Sequence, residues 1–436
     1  MKKLGILGLG LSMIAGGVNA QDSDLIGSVP YNQQLNTITT AVPFLLIAPD
    51  SRAGGLGDAG LALSPDANSI HWNGAKMAFA QDLTGNDMEV SVAYSPWLRQ
   101  LVNDIGLAYL GGYKQIDDKL AIGGSLRYFS LGSIQFTDNT GGDLGTYKPN
   151  EFALDFGGAY KLSDNFSVGM TARFINSNLT NISTGGGTDA KPGRAGAADL
   201  SAFYNSNEFS LGGKDAQIAA GINISNIGSK ISYTSASTDR DFIPANLRVG
   251  QALTMDFDEY NSLTFITDFS KLLVPTQPIY RVDGSGQPVQ DSEGNYIVSS
   301  GKDPNVGVAT AIFNSFVDAP GFAIPNGSGG AEIDANGDVQ IEKGSKFKEE
   351  LREVNISTGF EYWYAKQFAV RAGYFYEHAT KGNRQFATLG LGIKYSVFAL
   401  DLSYLIPTTQ RNPLQNTLRF TLRFNFGGSK DTTEEA

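Results

Sequence analysis

Thr417-Leu-Arg-Phe-Thr-Leu-Arg-Phe-Asn-Phe426 alternates without a break. Leu418, Phe420, Leu422, Phe424 and Phe426 are apolar; Thr417, Arg419, Thr421, Arg423 and Asn425 are polar. In an extended strand neighbouring side chains leave opposite faces, so this segment puts its apolar groups on one side and two guanidiniums on the other. A water-soluble sandwich gives the same binary pattern, with the apolar face as its core. Aromatic residues ending the strand, with arginine rather than mixed polar groups opposite, favour hydrocarbon outside and a polar lumen inside.

Upstream of it, similar segments are read at 88–94, 104–113, 119–134, 151–162, 166–179, 197–205, 216–233, 246–256, 262–273, 354–364, 368–377, 386–396 and 397–406. The gaps alternate too. Those at 116–118, 163–165, 257–260, 365–367 and 396/397 are tight, with a somewhat longer one at 207–214. Those at 138–149, 181–196, 228–245, 274–353 and 407–416 are long and polar. Tight turns on one rim and long loops on the other describe an all-β, antiparallel transmembrane β-barrel of about 14 strands. The short-turn rim of such barrels faces the periplasm, so both termini are expected there.

The start of the chain agrees with that compartment. Lys2 and Lys3, an apolar run from Leu4 to Ile14 and Val18-Asn19-Ala20 read as a signal peptide over 1–20. The chain has no cysteine, which excludes a lipoprotein anchor, a disulfide framework and thiol chemistry. No later apolar run approaches the length of a membrane-spanning helix. Hydrophobic content of 41% is modest because in a barrel only every second residue meets lipid, and 26 Phe and 18 Tyr would supply its aromatic girdles. A formal charge of −11 argues against nucleic acid as a partner. The expected layout is therefore a signal peptide at 1–20, an N-terminal periplasmic segment at 21–87, the barrel at 88–426 with a long extracellular loop at 274–351, and a periplasmic tail at 427–436.

Inward positions carry both signs: Arg127, Glu151, Asp155, Arg173, Arg248, Asp268, Glu361, Arg371, Lys394, Asp401, Arg419 and Arg423. In a narrow lumen such charges should pair across neighbouring strands, Asp401 with Arg419 or Arg423. No catalytic, cofactor-binding or metal-ligating set is expected. His378 beside Glu377 is the one hydrolase-like pairing. Gly55-x-Gly57-x-x-Gly60 matches a dinucleotide fingerprint only formally, since no βαβ unit follows. His71 beside Trp72 is expected to serve packing or hydrogen bonding. Asp334-x-Asn336-x-Asp338 resembles the front of a calcium loop, but Val339 and Ser345 stand where Gly and the bidentate Glu belong, so a solvated turn is expected.

The segment before the first strand is neither alternating nor strand-like: Ile47-Ala-Pro-Asp-Ser-Arg-Ala-Gly-Gly-Leu-Gly-Asp-Ala-Gly-Leu61, then Ser64-Pro-Asp-Ala-Asn-Ser-Ile-His-Trp-Asn-Gly-Ala-Lys-Met-Ala-Phe79. It resembles the N-terminal region of the PorV family, outer-membrane barrels of the Bacteroidota type IX secretion system. That family is in turn similar to the FadL family of fourteen-stranded long-chain fatty-acid transporters. Gly74 stands in Trp72-Asn73-Gly74-Ala75 where relatives commonly have proline, which loosens the turn without touching the fold. The resemblance implies that the segment plugs the lumen, with Pro49, Asp50, Ser51, Arg52, Gly54, Gly55, Gly57, Asp58, Gly60, Trp72 and Asn73 as the plug motif. It further implies association with the SprA (Sov) translocon barrel, capture of secreted proteins by their C-terminal signal domain, and delivery to the PorU/PorZ attachment complex. Outer-membrane lipid would surround it. A FadL-like transporter of a hydrophobic small molecule is the alternative.

The loop at 274–351 is far longer than a connection needs to be. Stretches around Asp283-Gly284 and Glu293-Gly294 read as hairpins. Ile312, Phe313, Phe316, Val317 and Phe322 form an apolar set near helical spacing, the candidate partner-binding residues.

Overall fold

Period-two alternation closes one antiparallel sheet upon itself in a computed structural model of the protein, which describes residues 35–98, 104–137, 142–179, 191–234, 240–327, 330–408, 414–415 and 417–427. The wall strands are β1 (Met88–Pro96), β2 (Ile105–Gln115), β3 (Leu120–Leu131), β4 (Asn150–Ser163), β5 (Phe166–Asn178), β6 (Gly193–Asn205) and β7 (Lys214–Gly228). They continue with β8 (Asn246–Asp256), β9 (Asn261–Leu272), β10 (Asn355–Tyr364), β11 (Phe368–Tyr376), β12 (Gln385–Tyr395), β13 (Phe398–Pro407) and β14 (Thr417–Phe426). Each pairs with its sequence neighbours, and β1 closes on β14 from Met88↔Phe426 to Tyr94↔Phe420. The result is a closed barrel of 14 strands.

β14 faces as its alternation predicts: Thr417, Arg419, Thr421, Arg423 and Asn425 are buried, while Leu418, Phe420, Leu422 and Phe426 are exposed. Around the wall the outward row is Val92, Leu110, Leu126, Leu154, Met170, Leu200, Ile222, Val249, Phe360, Leu389 and Leu422. Tyr160, Tyr204, Tyr260, Tyr364, Tyr395 and Phe426, all exposed, ring the short-turn rim. Aromatic rings at that level mark an interfacial girdle.

Three strand limits differ from the sequence reading by three residues or more. β3 ends at Leu131, and Ile134–Thr137 pairs instead with Asp143–Tyr147 in a separate loop hairpin. β7 stops at Gly228 rather than 233, because Asn226 takes a left-handed φ of 60° and shifts the register to β6. Its side chain donates to the Pro244 carbonyl at 2.9 Å and so fixes the bulge. β6 begins at Gly193, four residues before the expected start. The expected signal peptide at 1–20 lies outside the described residues, as do 21–34 of the N-terminal segment and all but Gly427 of the tail.

Residues 35–87 run into the lumen as short pieces: 3-10 turns at Pro43–Leu46 and Gly74–Phe79, and helical turns α1 (Ser51–Gly54), α2 (Ser69–Trp72) and α3 (Ala80–Thr84). Leu56, Leu61, Leu63, Ile70, Trp72, Met77 and Phe79 are all buried against wall side chains. The opposite surface carries the long insertion between β9 and β10, with helices α4 (Val308–Asn314) and α5 (Ser345–Arg352). Within it two small units repeat one design. Arg281 donates to the Ile297 carbonyl, Ile297 to Val289, and Val289 back to Arg281, a closed ring of three backbone bonds. Ile324, Gln340 and Glu332 make the same ring. The units are joined by Arg281, held by both Asp338 carboxylate oxygens at 2.9 and 3.0 Å.

Candidate functional site

The lumen is filled with charge, and most of it is paired. One chain of ion pairs crosses it from Glu89 to Arg423 (3.0 Å), Asp401 (2.9 Å), Arg371 (2.7 Å), Glu361 (2.6 Å), Arg52 (2.8 Å) and Asp66 (3.1 Å). A second runs Arg127–Asp155–Arg173–Asp199, with separations of 3.5, 2.6 and 3.0 Å. Asp401 takes Arg423; Arg419 reaches past the wall to Asp58. Alternating signs in a buried interior are tolerated because each member of these two chains sits beside a counter-ion.

Arg52, on α1, is the member that belongs to the lumen segment rather than the wall. Its Nε and Nη2 clamp Glu361 at 3.0 and 2.8 Å, and its Nη groups also donate to Asp66, the Ser64 carbonyl and the Ser64 hydroxyl. Asp50 caps α1 through Ala53 N–H and accepts from Trp72 Nε1 at 2.6 Å, tying α1 to α2. Asn73 accepts from Ala75 N–H and donates to the Ala202 carbonyl on β6.

The remaining motif residues meet the wall through backbone. Ser51 N–H donates to Thr421, Gly57 N–H to Thr388, and Gly60 and Leu61 N–H to one Asp268 oxygen, at 2.8–3.0 Å. Gly57 has φ 69°, and Gly373 of β11 lies so close that a Cβ there would fall 2.1 Å from the Leu56 carbonyl carbon. Glycine on both sides of the contact is what lets the turn touch the wall backbone. Gly54, Gly55 and Pro49 are buried in the same packing. His71 Nδ1 meets Arg127 at 2.9 Å, and Arg248 lies 5.0 Å over the Trp72 ring.

Above this segment a cavity of about 470 Å³ is lined by Ile47, Trp97, Phe375 and Phe386 together with Arg248, Glu377, Lys381 and Arg384. Glu377 is held by Arg384 Nε and Nη2 and His378 Nδ1 by Thr380, so the hydrolase-like pair is engaged in its own turn. Burial, with Arg352, Lys381 and Lys348 nearby, lowers the His378 pKa.

At the base of the insertion Asp318, Glu350 and Glu353 bring carboxylate oxygens within 4.8 Å of one another. Lys271 already bridges Glu350 and Glu353, and Lys381 bonds Glu349 and Glu353, so protein ammonium groups hold this cluster. Burial, reinforced by Glu353 and Glu350, pushes the Asp318 carboxyl up to about 6 against the pull of its bond from Thr276 N–H. Asp334 accepts from Asn336 and Asp338 N–H in a hairpin turn, and Asp338 is occupied by Arg281.

The apolar set divides. Phe313, Phe316 and Val317 are 77%, 47% and 64% exposed. Ile312 instead packs on Ala245, Leu273 and Val274, and Phe322 is buried under Arg352, 4.3 Å above its ring. These two candidates are therefore corrected to packing residues: α4 needs one face to sit on the barrel rim, and Ile312 supplies it. Sequence reading passed over Phe347 and Leu351, exposed one turn apart on α5. Their i, i+4 spacing was the available signal.

A family model described as Type IX secretion system protein PorV matches residues 30–279, more than half of the chain. Among solved structures the chain is similar to the Ralstonia pickettii toluene transporter TbuX, with 11% identity, TM-score 0.42, and 87% of this chain and 98% of that one covered. It is similar also to the P. putida toluene transporter TodX (13%, TM-score 0.42, 91% and 100% covered) and to a Pseudomonas aeruginosa FadL homologue (12%, 0.39, 90% and 100%). No curated protein sequence matches it.

Proposed function

The chain belongs to the PorV family of type IX secretion system outer-membrane proteins, and from that membership we propose that it is a docking carrier whose lumen stays shut. It binds the SprA (Sov) translocon, receives cargo by the C-terminal signal domain, and moves laterally to the PorU/PorZ attachment complex. Residues 21–87 act as the plug, both termini lie in the periplasm, and the insertion at 274–351 faces outward.

The observation that carries this reading is the contrast between α1 and the end of α4: Arg52 is clamped inside, while Phe313 and, just past the helix, Phe316 and Val317 stand uncovered outside. A buried ion pair broken on one side costs about 3–5 kcal/mol, so a segment held by several resists displacement by a passing substrate. Exposed apolar clusters, by contrast, mark surfaces that a partner covers. Neither PorV nor FadL-like proteins form an enzyme family, and no catalytic step is invoked.

Deleting residues 280–345 leaves a folded barrel, read by heat-modifiable migration, while cargo accumulates in the periplasm. Normal secretion in that strain rejects the docking role. The cavity of about 470 Å³ favours a second reading, uptake of a small hydrophobic molecule. Loss of fatty-acid uptake in a knockout that still secretes protein would select it.

A further inference from the structure

On three neighbouring strands the outward row, otherwise apolar through the middle of the wall, is interrupted by one polar residue. Gln251 sits at the middle of β8, exposed between inward-facing Gly250 and Ala252. Register places it directly opposite Thr267 of β9, and Thr267 directly opposite Thr358 of β10. Both threonines point outward between buried neighbours, Ile266 and Asp268 in one case and Ser357 in the other. They satisfy each other: their hydroxyls are 3.1 Å apart, and Thr358 also reaches the Ile266 carbonyl at 3.0 Å. Gln251 does not share in this. Among the described residues its carboxamide has no hydrogen-bond partner.

At the corresponding level the rest of the wall offers Val92, Leu110, Leu126, Leu154, Met170 and Leu389 to lipid. A primary amide there has no water to bond and no protein partner, which is costly enough in hydrocarbon that such groups are rare without a use. Two wet rims lie five residues away in either direction along β8, beyond the reach of the side chain.

Position supplies the second argument. β9 and β10, which carry Thr267 and Thr358, are the strands that the long insertion joins. The polar row therefore continues downward, on the same side of the barrel, from the surface that bears Phe313, Phe316 and Val317.

We propose that the β8–β10 wall is a lateral interface within the bilayer, where Gln251 hydrogen-bonds a polar side chain on the lipid-facing surface of a different membrane-embedded protein. The inference rests on the docking reading and adds its intramembrane half. Ala220, directly opposite Gln251 on β7, is small enough to let another wall approach. The two threonines widen the polar target from one side chain to three.

The test places a photoreactive benzoylphenylalanine at position 251, at 313 on the insertion, or at 110 on β2, seven strands round the barrel from β9, each in the full-length protein in native outer membranes. The expected result is an adduct from 251 and from 313 to the same integral outer-membrane protein by mass spectrometry, and lipid adducts alone from 110. In parallel Gln251→Leu lowers the yield of that partner in detergent co-purification by about three- to tenfold, as loss of an intramembrane hydrogen bond does, with barrel migration unchanged. An adduct from 313 without one from 251 overturns the interface and leaves docking standing. Lipid alone from both positions overturns both. A cross-linked species of twice the chain's own mass from 251 also overturns the proposal, because the occupant is then a second copy.

Discussion

The lumen and the insertion are built from similar residues and resolve them in opposite ways. Inside, Arg52, Arg371 and Arg423 each meet two carboxylates, and the glycines of the turn lie against the wall backbone. Outside, turns built on Asp283, Asp291 and Asp334 hold the backbone while Phe313, Val317, Phe347 and Leu351 remain uncovered. The interior specifies one arrangement of a segment; the exterior specifies a rigid support and leaves its contacts unmade. That division is what a closed carrier needs and what a conduit does not.

The largest effect is expected from breaking the clamp. Arg52→Ala leaves Glu361 and Asp66 without their shared guanidinium and should cost about 3–5 kcal/mol. Hydrogen exchange over residues 35–84 should accelerate while β1–β14 stay protected; equal protection in the variant would show that the clamp is not what holds the segment.

Next comes Gly373→Ala. Its Cβ would lie 2.1 Å from Leu56 backbone, a forced shift worth about 1–3 kcal/mol. Gly196→Ala, where no atom lies within 4 Å, is the matched control and should be neutral or mildly stabilising. Equal thermal midpoints for the two variants would contradict the close contact.

A smaller effect belongs to the insertion. Asp318 holds its proton up to about 6 in the folded insertion, above the ordinary value of 3.8. The folded insertion thus binds the proton more tightly than the unfolded one, and its stability grows as pH falls through that window, at most about tenfold in exchange protection per pH unit. Below the ordinary range no further gain follows. Asp318→Asn should flatten the profile over residues 308–353; an unchanged profile would assign the pH dependence elsewhere.

The wall was legible because its physics is local. In Thr417–Phe426 each residue's face follows from its parity, with no knowledge of neighbours. Pairing in the lumen was only half legible: Asp401 and Arg423 share a cross-strand neighbourhood, but Arg419 turns to Asp58, hundreds of residues away in sequence. The β7 bulge escaped because it depends on Asn226 finding the Pro244 carbonyl across a loop. The duplicated units of the insertion were missed despite a readable sign, Asp283-Gly-Ser-Gly286 echoed by Asn326-Gly-Ser-Gly329. Ile312 and Phe322 could not be told from Phe313 by spacing, since an irregular loop has no period to assign faces.

The central claim, that cargo handling does not pass through the lumen, can be tested by locking the segment to the wall. Ser51 and Thr421 hydroxyls lie 3.2 Å apart, and the chain has no cysteine of its own. Ser51→Cys with Thr421→Cys, oxidised in living cells, fixes α1 to β14. The account predicts that cells carrying the disulfide-locked protein secrete type IX cargo at the unlocked rate. Secretion that stops on oxidation and returns with reductant would contradict it.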